Sequence, residues 1–573
     1  MKKKLNYREQ QRLYEKKTSE IIRDIAAVYF IVITAVFPLF ITWTKYSSFT
    51  FQKTVFFWIT TGAAAAAILF MLFFVKKSFY PENYFIENEP KRRVSVTEWA
   101  LLAFILLAFI SAAAASFNLN AITNVEEFSL YGNHVNEIIW SGSPGRYEGF
   151  ISFLFYVLTF FIIARFYKPK QLHFLILAGS SILVSLYGIL QFIGIDIFNL
   201  FPFMIPMHLD SGGKSLYGPL SAYFRTTLGN VNIVAAYCSF AVVLFAALFA
   251  VSHAKFKIKW LYLAASAISF ALLLISHGDA SRVAVLGAMV LLIPYWISDR
   301  VRLGNILIVL SGWCAVYAGY ASYASVLKKR LESGFSPPHL DRIFLENFNT
   351  SYIAPFIILA VVLLALGLVL ILVLKKWADK PLKTAGIIFI PLIIVMGLLT
   401  VEIMGARRAD NPSNIVYQAR EILHGNMGDS FGSYRGWIWK NAVSVIPNHP
   451  ILGTGPDTFF YALGDEIQTA SMTVSGEPYD KAHNIFLQIA VCMGIPALLA
   501  YLAFAGSLFV SALKKAFERP VLLAFFACAF SYMIQSFFCV EVPITTPLVW
   551  VAFGVIAGEI WREKIGAKDE TEI

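Results

Sequence analysis

Four short polar segments interrupt an otherwise apolar chain, and each carries residue types that could bind an anion or move a proton. His483 and Asn484 stand directly before an apolar run that Gly494-Ile495-Pro496 breaks. An imidazole titrates near neutrality, so a His within reach of substrate can take a hydroxyl proton. It can equally be a polar helix cap, and His424 and His449 are alternatives nearby. Ser281 and Arg282 lie in the stretch HGDASRV, residues 277–283, between two apolar runs. An Arg at the edge of hydrocarbon needs an anion. Asp279 is one candidate; a lipid phosphate or pyrophosphate, which a guanidinium binds through two parallel N–H bonds, is the other. Arg225 precedes Gly229, Asn230 and Asn232 at the start of a further run. Backbone N–H groups at such a helix start attract anions, although an Asn cap with a snorkelling Arg fits the same residues. Arg435 is followed by Trp437 and Trp439, and then by HPILGTGP at 449–456. That stretch reads as a turn, because no Lys-Ser/Thr follows its glycines as a nucleotide loop requires.

The elements that must hold these residues are membrane helices. Of 573 residues, 58% are hydrophobic and only 14% charged, and the mean hydropathy is +0.65. These values exclude an ordinary soluble multidomain enzyme and a disordered chain. Apolar stretches long enough to cross hydrocarbon recur about fourteen times, near 25–43, 54–75, 99–117, 149–166, 172–195, 229–251, 258–276, 282–298, 304–322, 353–374, 384–403, 484–513, 520–538 and 543–561. The expected fold is therefore an all-α polytopic membrane protein. The five cysteines lack the paired spacing of a zinc site or a disulfide framework and read as packing residues.

Charge sets the sidedness. The net charge is +11, and with a cytoplasmic N-terminus roughly 31 of the 47 Lys and Arg fall in inner segments, the positive-inside bias. The basic balance thus needs no nucleic acid. The expected organisation is a basic cytoplasmic segment at 1–24, transmembrane helices 1–11 over 25–403, a large extracytoplasmic loop at 404–483, helices 12–14 over 484–561 and a cytoplasmic tail at 562–573. The start does not read as a cleavable signal peptide. Within the large loop, residues 434–445 show a helical stripe through Trp437, Ala442 and Val445, so one or two short helices are expected across the mouth of the bundle.

Taken in order, the polar segments resemble the O-antigen ligase family, whose relatives include O-antigen polymerases and bacterial O-oligosaccharyltransferases. The resemblance rests on Gly229-Asn230-Val231-Asn232, on Ser281-Arg282, on Arg435 followed by HPILGTGP, and on His483-Asn484 with Gly494 ten residues after the Asn, spanning roughly residues 140 to 505. Two features differ: about fourteen spans where a dozen is usual, and Ala497 where the ligases favour Gly, Thr or Tyr. The resemblance implies a GT-C-like architecture and inverting, metal-independent transfer of a glycan from an undecaprenyl-pyrophosphate carrier to an acceptor hydroxyl, on the outer face of a bacterial plasma membrane. The acceptor is a lipid, a glycan or a protein; membrane lipids are the other partners, and no cofactor is implied. Arg282 and Arg435, with Arg225 as a third, would hold the pyrophosphate, and His483 would act on the acceptor proton. Asn230, Asn232, Ser281, Asn484 and Gly494 would support them, and Arg146 and Glu148 would line the acceptor side.

Two other classes compete. A metal-dependent membrane glycosyltransferase could use the adjacent Glu126 and Glu127, although adjacent carboxylates usually form a solvated charge pair. A transporter or flippase is expected to carry ionisable residues mid-span and paired broken helices. Here the ionisable residues gather at helix ends, and the break at Gly494 has no clear twin.

Overall fold

The computed structural model describes residues 7–42, 44, 48–75, 93–118, 134–193, 195–198, 200, 208–209, 215–216, 225–251, 256–276, 278–297, 299–332, 353–374, 380–407, 414–516 and 519–564. Glu126 and Glu127 lie outside the described residues. The described chain is helical throughout, apart from loops and one two-residue antiparallel pairing, His208–Leu209 with Ser215–Leu216. Ten helices are long and apolar enough to cross a membrane among the described residues, from Thr18–Leu39 to Ile495–Lys515. Shorter apolar helices occupy Phe150–Phe166, Val395–Ala406 and Pro520–Ser536. The chain is a multi-pass membrane protein.

Apolar surface sorts these helices into layers. A helix that is apolar all round must be either wrapped by protein or exposed to lipid. Val231–Val251 takes the first solution: it is buried along its length against Phe256–Ile275, Asp279–Ile297, Arg300–Glu332 and Pro520–Ser536. Ile353–Leu368 takes the second, packing on Arg300–Glu332 while Ile358, Val361 and Leu366 stay exposed. Where a helix breaks inside the bundle, its carbonyls need donors. Lys53 supplies them beside Pro38, donating to the carbonyls of Phe37 at 2.7 Å and Pro38 at 3.1 Å.

Ion pairs brace the end of the bundle opposite the large loop. Arg165, at the last turn of Phe150–Phe166, meets the buried Glu98 at 2.8 Å, and Arg519 meets Glu559 at 3.1 Å. At the other end the large loop folds into the helices Ile415–Leu423, Phe431–Val445 and Phe459–Ser475, one more than the sequence pattern anticipates. The expected stripe is nearly right: Ala442 and Val445 are buried, but Trp439 rather than Trp437 points inward. Trp439 packs edge-on against Phe537 at 5.4 Å.

The apolar run at 484–513 is not one helix. It divides at Gly494, φ +87°, into Ile485–Met493 and Ile495–Lys515. The turn at 449–456 docks into this break: Ile495 N–H donates to Pro450 O at 2.8 Å and Gly455 N–H to Cys492 O at 2.7 Å. A Cβ on Gly494 would lie 2.1 Å from Ile451 O, so only glycine admits both the backbone twist and the close approach.

Candidate functional site

His483 is placed by the segment that leads into Ile485–Met493. Asn484 caps that helix, its Oδ1 accepting from Phe486 N–H at 2.9 Å and Leu487 N–H at 3.1 Å. Ala482 is held at both backbone groups, its N–H donating to Gln488 Oε1 at 2.9 Å and its carbonyl accepting from Trp439 Nε1 at 3.0 Å. Between these fixed residues His483 adopts φ +50°, a left-handed conformation costly for a side chain with a Cβ. The imidazole keeps partial solvent contact. Desolvation among the surrounding protein atoms, reinforced by the Arg435 guanidinium, pushes its pKa down to about 4, against the opposing charge of Asp480. It is therefore a neutral imidazole at neutral pH.

The guanidinium groups come from two directions. Arg435 donates through Nε to Phe538 O at 2.6 Å, just beyond the Pro520–Ser536 helix, and through Nη1 to Gly432 O. Gly432, Ser433 and Tyr434 all have positive φ, so a left-handed turn delivers Arg435 to this place. Arg282 belongs to Asp279–Ile297, which also packs on Pro520–Ser536. It pairs with Asp279 at 3.0 Å and donates through Nη2 to Leu274 O at 2.8 Å, while its buried Nε has no hydrogen-bond partner among the described residues. The Asp279 partnership that the sequence allowed is thus present, but 38% and 53% side-chain exposure makes it a screened pair. Ser281 is buried in the first turn of this helix.

Arg225 and the asparagines belong to the neighbouring helix start. Asn230 Oδ1 accepts from Asn232 N–H at 2.8 Å, a capping arrangement, and both side chains are exposed. The two helix starts touch, since a Cβ on Gly278 would lie 2.3 Å from Ala235 Cβ. Arg225, Asn230, Asn232, Ser281 and Arg282 therefore form one group, and Arg435, His483 and Asn484 a second. The Pro520–Ser536 helix, which packs against both Val231–Val251 and Asp279–Ile297, joins them.

Arg146 and Glu148 are committed to protein partners. Arg146 grips Asp480 through Nε at 2.7 Å and Nη2 at 3.2 Å. Glu148 accepts from Lys481 at 3.1 Å, and Lys481 also pairs with Asp457. Sequence reasoning passed over Asp457, Asp480 and Lys481. A signal was there: three charges beside a turn and a helix start, in a chain that is only 14% charged.

Backbone strain marks the same place. Among the described residues, six non-glycine residues have positive φ: Tyr147, Thr226, Ser433, Tyr434, Asp457 and His483. Each is, or lies within two residues of, Arg146, Glu148, Arg225, Arg435, Asp457 or His483. Such conformations cost on the order of 1–3 kcal/mol each and persist where surrounding structure imposes them, commonly at functional sites. Among the described residues no group of three or more His, Cys, Asp or Glu is arranged to hold a metal ion.

No curated protein matches the chain. A family profile does, over residues 356–502, roughly a quarter of the length, and its description is O-antigen ligase. The matched stretch contains Arg435, the 449–456 turn, His483, Asn484 and Gly494, and stops short of Arg225 and Arg282. The chain thus carries an O-antigen ligase domain among its apolar helices, as a membrane protein of polysaccharide biosynthesis would.

Proposed function

We propose that the protein is an inverting glycosyltransferase of GT-C-like architecture that moves a glycan from an undecaprenyl-pyrophosphate carrier to an acceptor hydroxyl at the extracytoplasmic face of a bacterial plasma membrane. The observation that carries this reading is His483, neutral and held in a left-handed turn, under the influence of Arg435. The acceptor oxygen attacks the anomeric carbon while its proton passes to the His483 imidazole. The bond from that carbon to the phosphate oxygen breaks, and the lipid pyrophosphate leaves with the electron pair. Negative charge growing on the leaving oxygens is met by Arg435 and Arg282, with Arg225 in support, as preorganised cations do at a developing anion. No metal is required in this scheme.

The charge balance explains a weak base at rest. Burial first, and then Arg435 and Arg146, depress the proton affinity of His483. A bound pyrophosphate offsets the two positive charges and raises the basicity of the imidazole. Asn484 and Gly494 fix the helix start and break that present His483; Ser281 lies in the helix start that presents Arg282, and Asn230 and Asn232 shape the neighbouring one. Both termini are cytoplasmic in this reading, since the polar segments then share the outer face.

Purified protein in lipid, supplied with undecaprenyl-pyrophosphate-linked glycan and a panel of lipid, glycan and protein acceptors, tests the function. Product with a lipid acceptor identifies a ligase, chain extension a polymerase, and a modified protein an oligosaccharyltransferase. Loss of donor lipid from one leaflet without product would instead identify a flippase.

A further inference from the structure

Lys481 is a buried cation at the loop end of the bundle. Its ammonium is buried, 3.1 Å from Glu148 Oε2 and in contact with Asp457 Oδ1. Asp457 Oδ2 in turn accepts from Ser143 N–H at 2.6 Å and Ser143 Oγ–H at 2.9 Å. Three separate pieces of chain thus meet on one side chain: the loop before Phe150–Phe166, the 449–458 turn that fills the helix break, and the residues leading into Ile485–Met493. Burial disfavours the Lys481 ammonium, but Asp457 and Glu148 outweigh it and hold its pKa above the usual lysine value. Burial likewise raises Glu148, to about 8, and Glu541, to about 7. Asp457 is therefore the main counter-charge, with Glu148 as the second acceptor.

A buried charge pair seldom adds net stability over apolar residues of the same shape, and its best-attested use is to fix one arrangement. What is fixed here is the chain around His483. Tyr479 N–H donates to Gln468 Oε1 at 3.0 Å, Asp480 is gripped by Arg146, Lys481 by Asp457 and Glu148, Ala482 by Gln488 and Trp439, and Asn484 by its own helix. The neighbours on both sides are bonded in place, and the side chain left to face a substrate is that of His483. Asp457 and Tyr147 carry the same left-handed strain as His483, at φ +62° and +56°.

We infer that Lys481, through Asp457 and Glu148, is a positioning residue that holds His483 in its left-handed conformation against the acceptor hydroxyl. The inference rests on the proposed transfer reaction. It assigns Lys481 no contact with substrate, so its removal slows the step that needs a placed imidazole and leaves donor binding to the arginines. A misplacement of about 1 Å is enough to cost on the order of 100-fold in rate.

The test uses full-length protein in lipid nanodiscs, with the lipid-linked glycan as probe. It compares wild type, His483→Ala, Lys481→Met and the uncharged triple variant Glu148→Gln/Asp457→Asn/Lys481→Met. Lys481→Met strands the two buried carboxylates that touch it; the triple variant removes both and carries the test if the single variant does not fold. The expected result is a folded triple variant whose kcat falls about 10- to 100-fold while its donor KM stays within about 2-fold. Wild-type kcat in that variant overturns the inference, as does a fall that comes entirely from a raised KM. Failure of the functional reading looks different: wild type itself makes no product with any acceptor.

Discussion

Arg435 Nε lies 2.6 Å from the carbonyl oxygen of Phe538, so the large loop is locked onto the end of the Pro520–Ser536 helix by the guanidinium proposed to meet the leaving group. The contact makes Arg435 both a brace and a charge. Arg435→Lys keeps the charge and loses the fork geometry. The expected fall in kcat is about 100- to 1,000-fold for Arg435→Ala, the range for removing one preorganised donor, and smaller for Arg435→Lys. Single-turnover transfer with saturating donor measures it, and equal losses in both variants would point to the brace alone.

Arg282 and Asp279 offer a sharper comparison. If the ion pair is the purpose of Arg282, removing either partner has the same effect. If pyrophosphate is, Arg282→Ala abolishes transfer while Asp279→Ala stays active. Because the pair is exposed, Asp279→Ala is expected to change stability by less than about 1 kcal/mol. Donor binding by fluorescence, beside thermal unfolding of the solubilised protein, separates the two cases.

The pH profile follows from the direction of the His483 shift. A general base must be neutral, so activity is lost as pH falls through its pKa. In the free enzyme that pKa is lowered to about 4, and the acid limb of kcat/KM is expected near there. Bound pyrophosphate offsets Arg435 and Arg146 but leaves the larger effect of burial in place, so the acid limb of kcat moves upward while staying below the ordinary histidine value of about 6.5. An acid limb that stays put on donor binding would argue against phosphate lying between these arginines.

Much of the helical layout was legible because hydrocarbon leaves few choices: an apolar run of sufficient length must be a helix. The positions of Arg225, Arg282, Arg435 and His483 at helix starts or in the large loop were legible for the same reason, since charge is excluded from the apolar runs. The ion-pair partnerships of Arg146 and Glu148 were not. Their partners, Asp480 and Lys481, lie more than 300 residues away, and no local pattern encodes such a pairing. The 449–456 turn was correctly read as a turn, but its docking into the break at Gly494 depends on two segments meeting in space.

That docking carries its own prediction. Gly494→Ala places a Cβ 2.1 Å from Ile451 O at φ +87°. The positive-φ, extended-ψ backbone, which essentially only glycine adopts, costs about 1–3 kcal/mol and overpacking about 1–3 kcal/mol more. A clear fall in thermal midpoint is expected, together with loss of transfer, because the turn also carries Asp457. Ala497→Gly, in the first turn of the following helix, is expected to cost no more than about 1 kcal/mol and to keep activity.

Excess EDTA is expected to leave transfer unchanged, since the arginines supply the charge that a divalent ion would otherwise provide. Restoration of lost activity by added magnesium or manganese would move the chemistry to a metal site.

The most direct test of the central claim is transfer by the purified protein in lipid from undecaprenyl-pyrophosphate-linked glycan, with wild type beside His483→Ala and Arg282→Ala. The account predicts acceptor-dependent product from wild type and none from either variant, with both variants folded. Full activity of His483→Ala would contradict the general-base role, and absence of product from wild type with every acceptor, despite bound donor, would contradict glycan transfer itself.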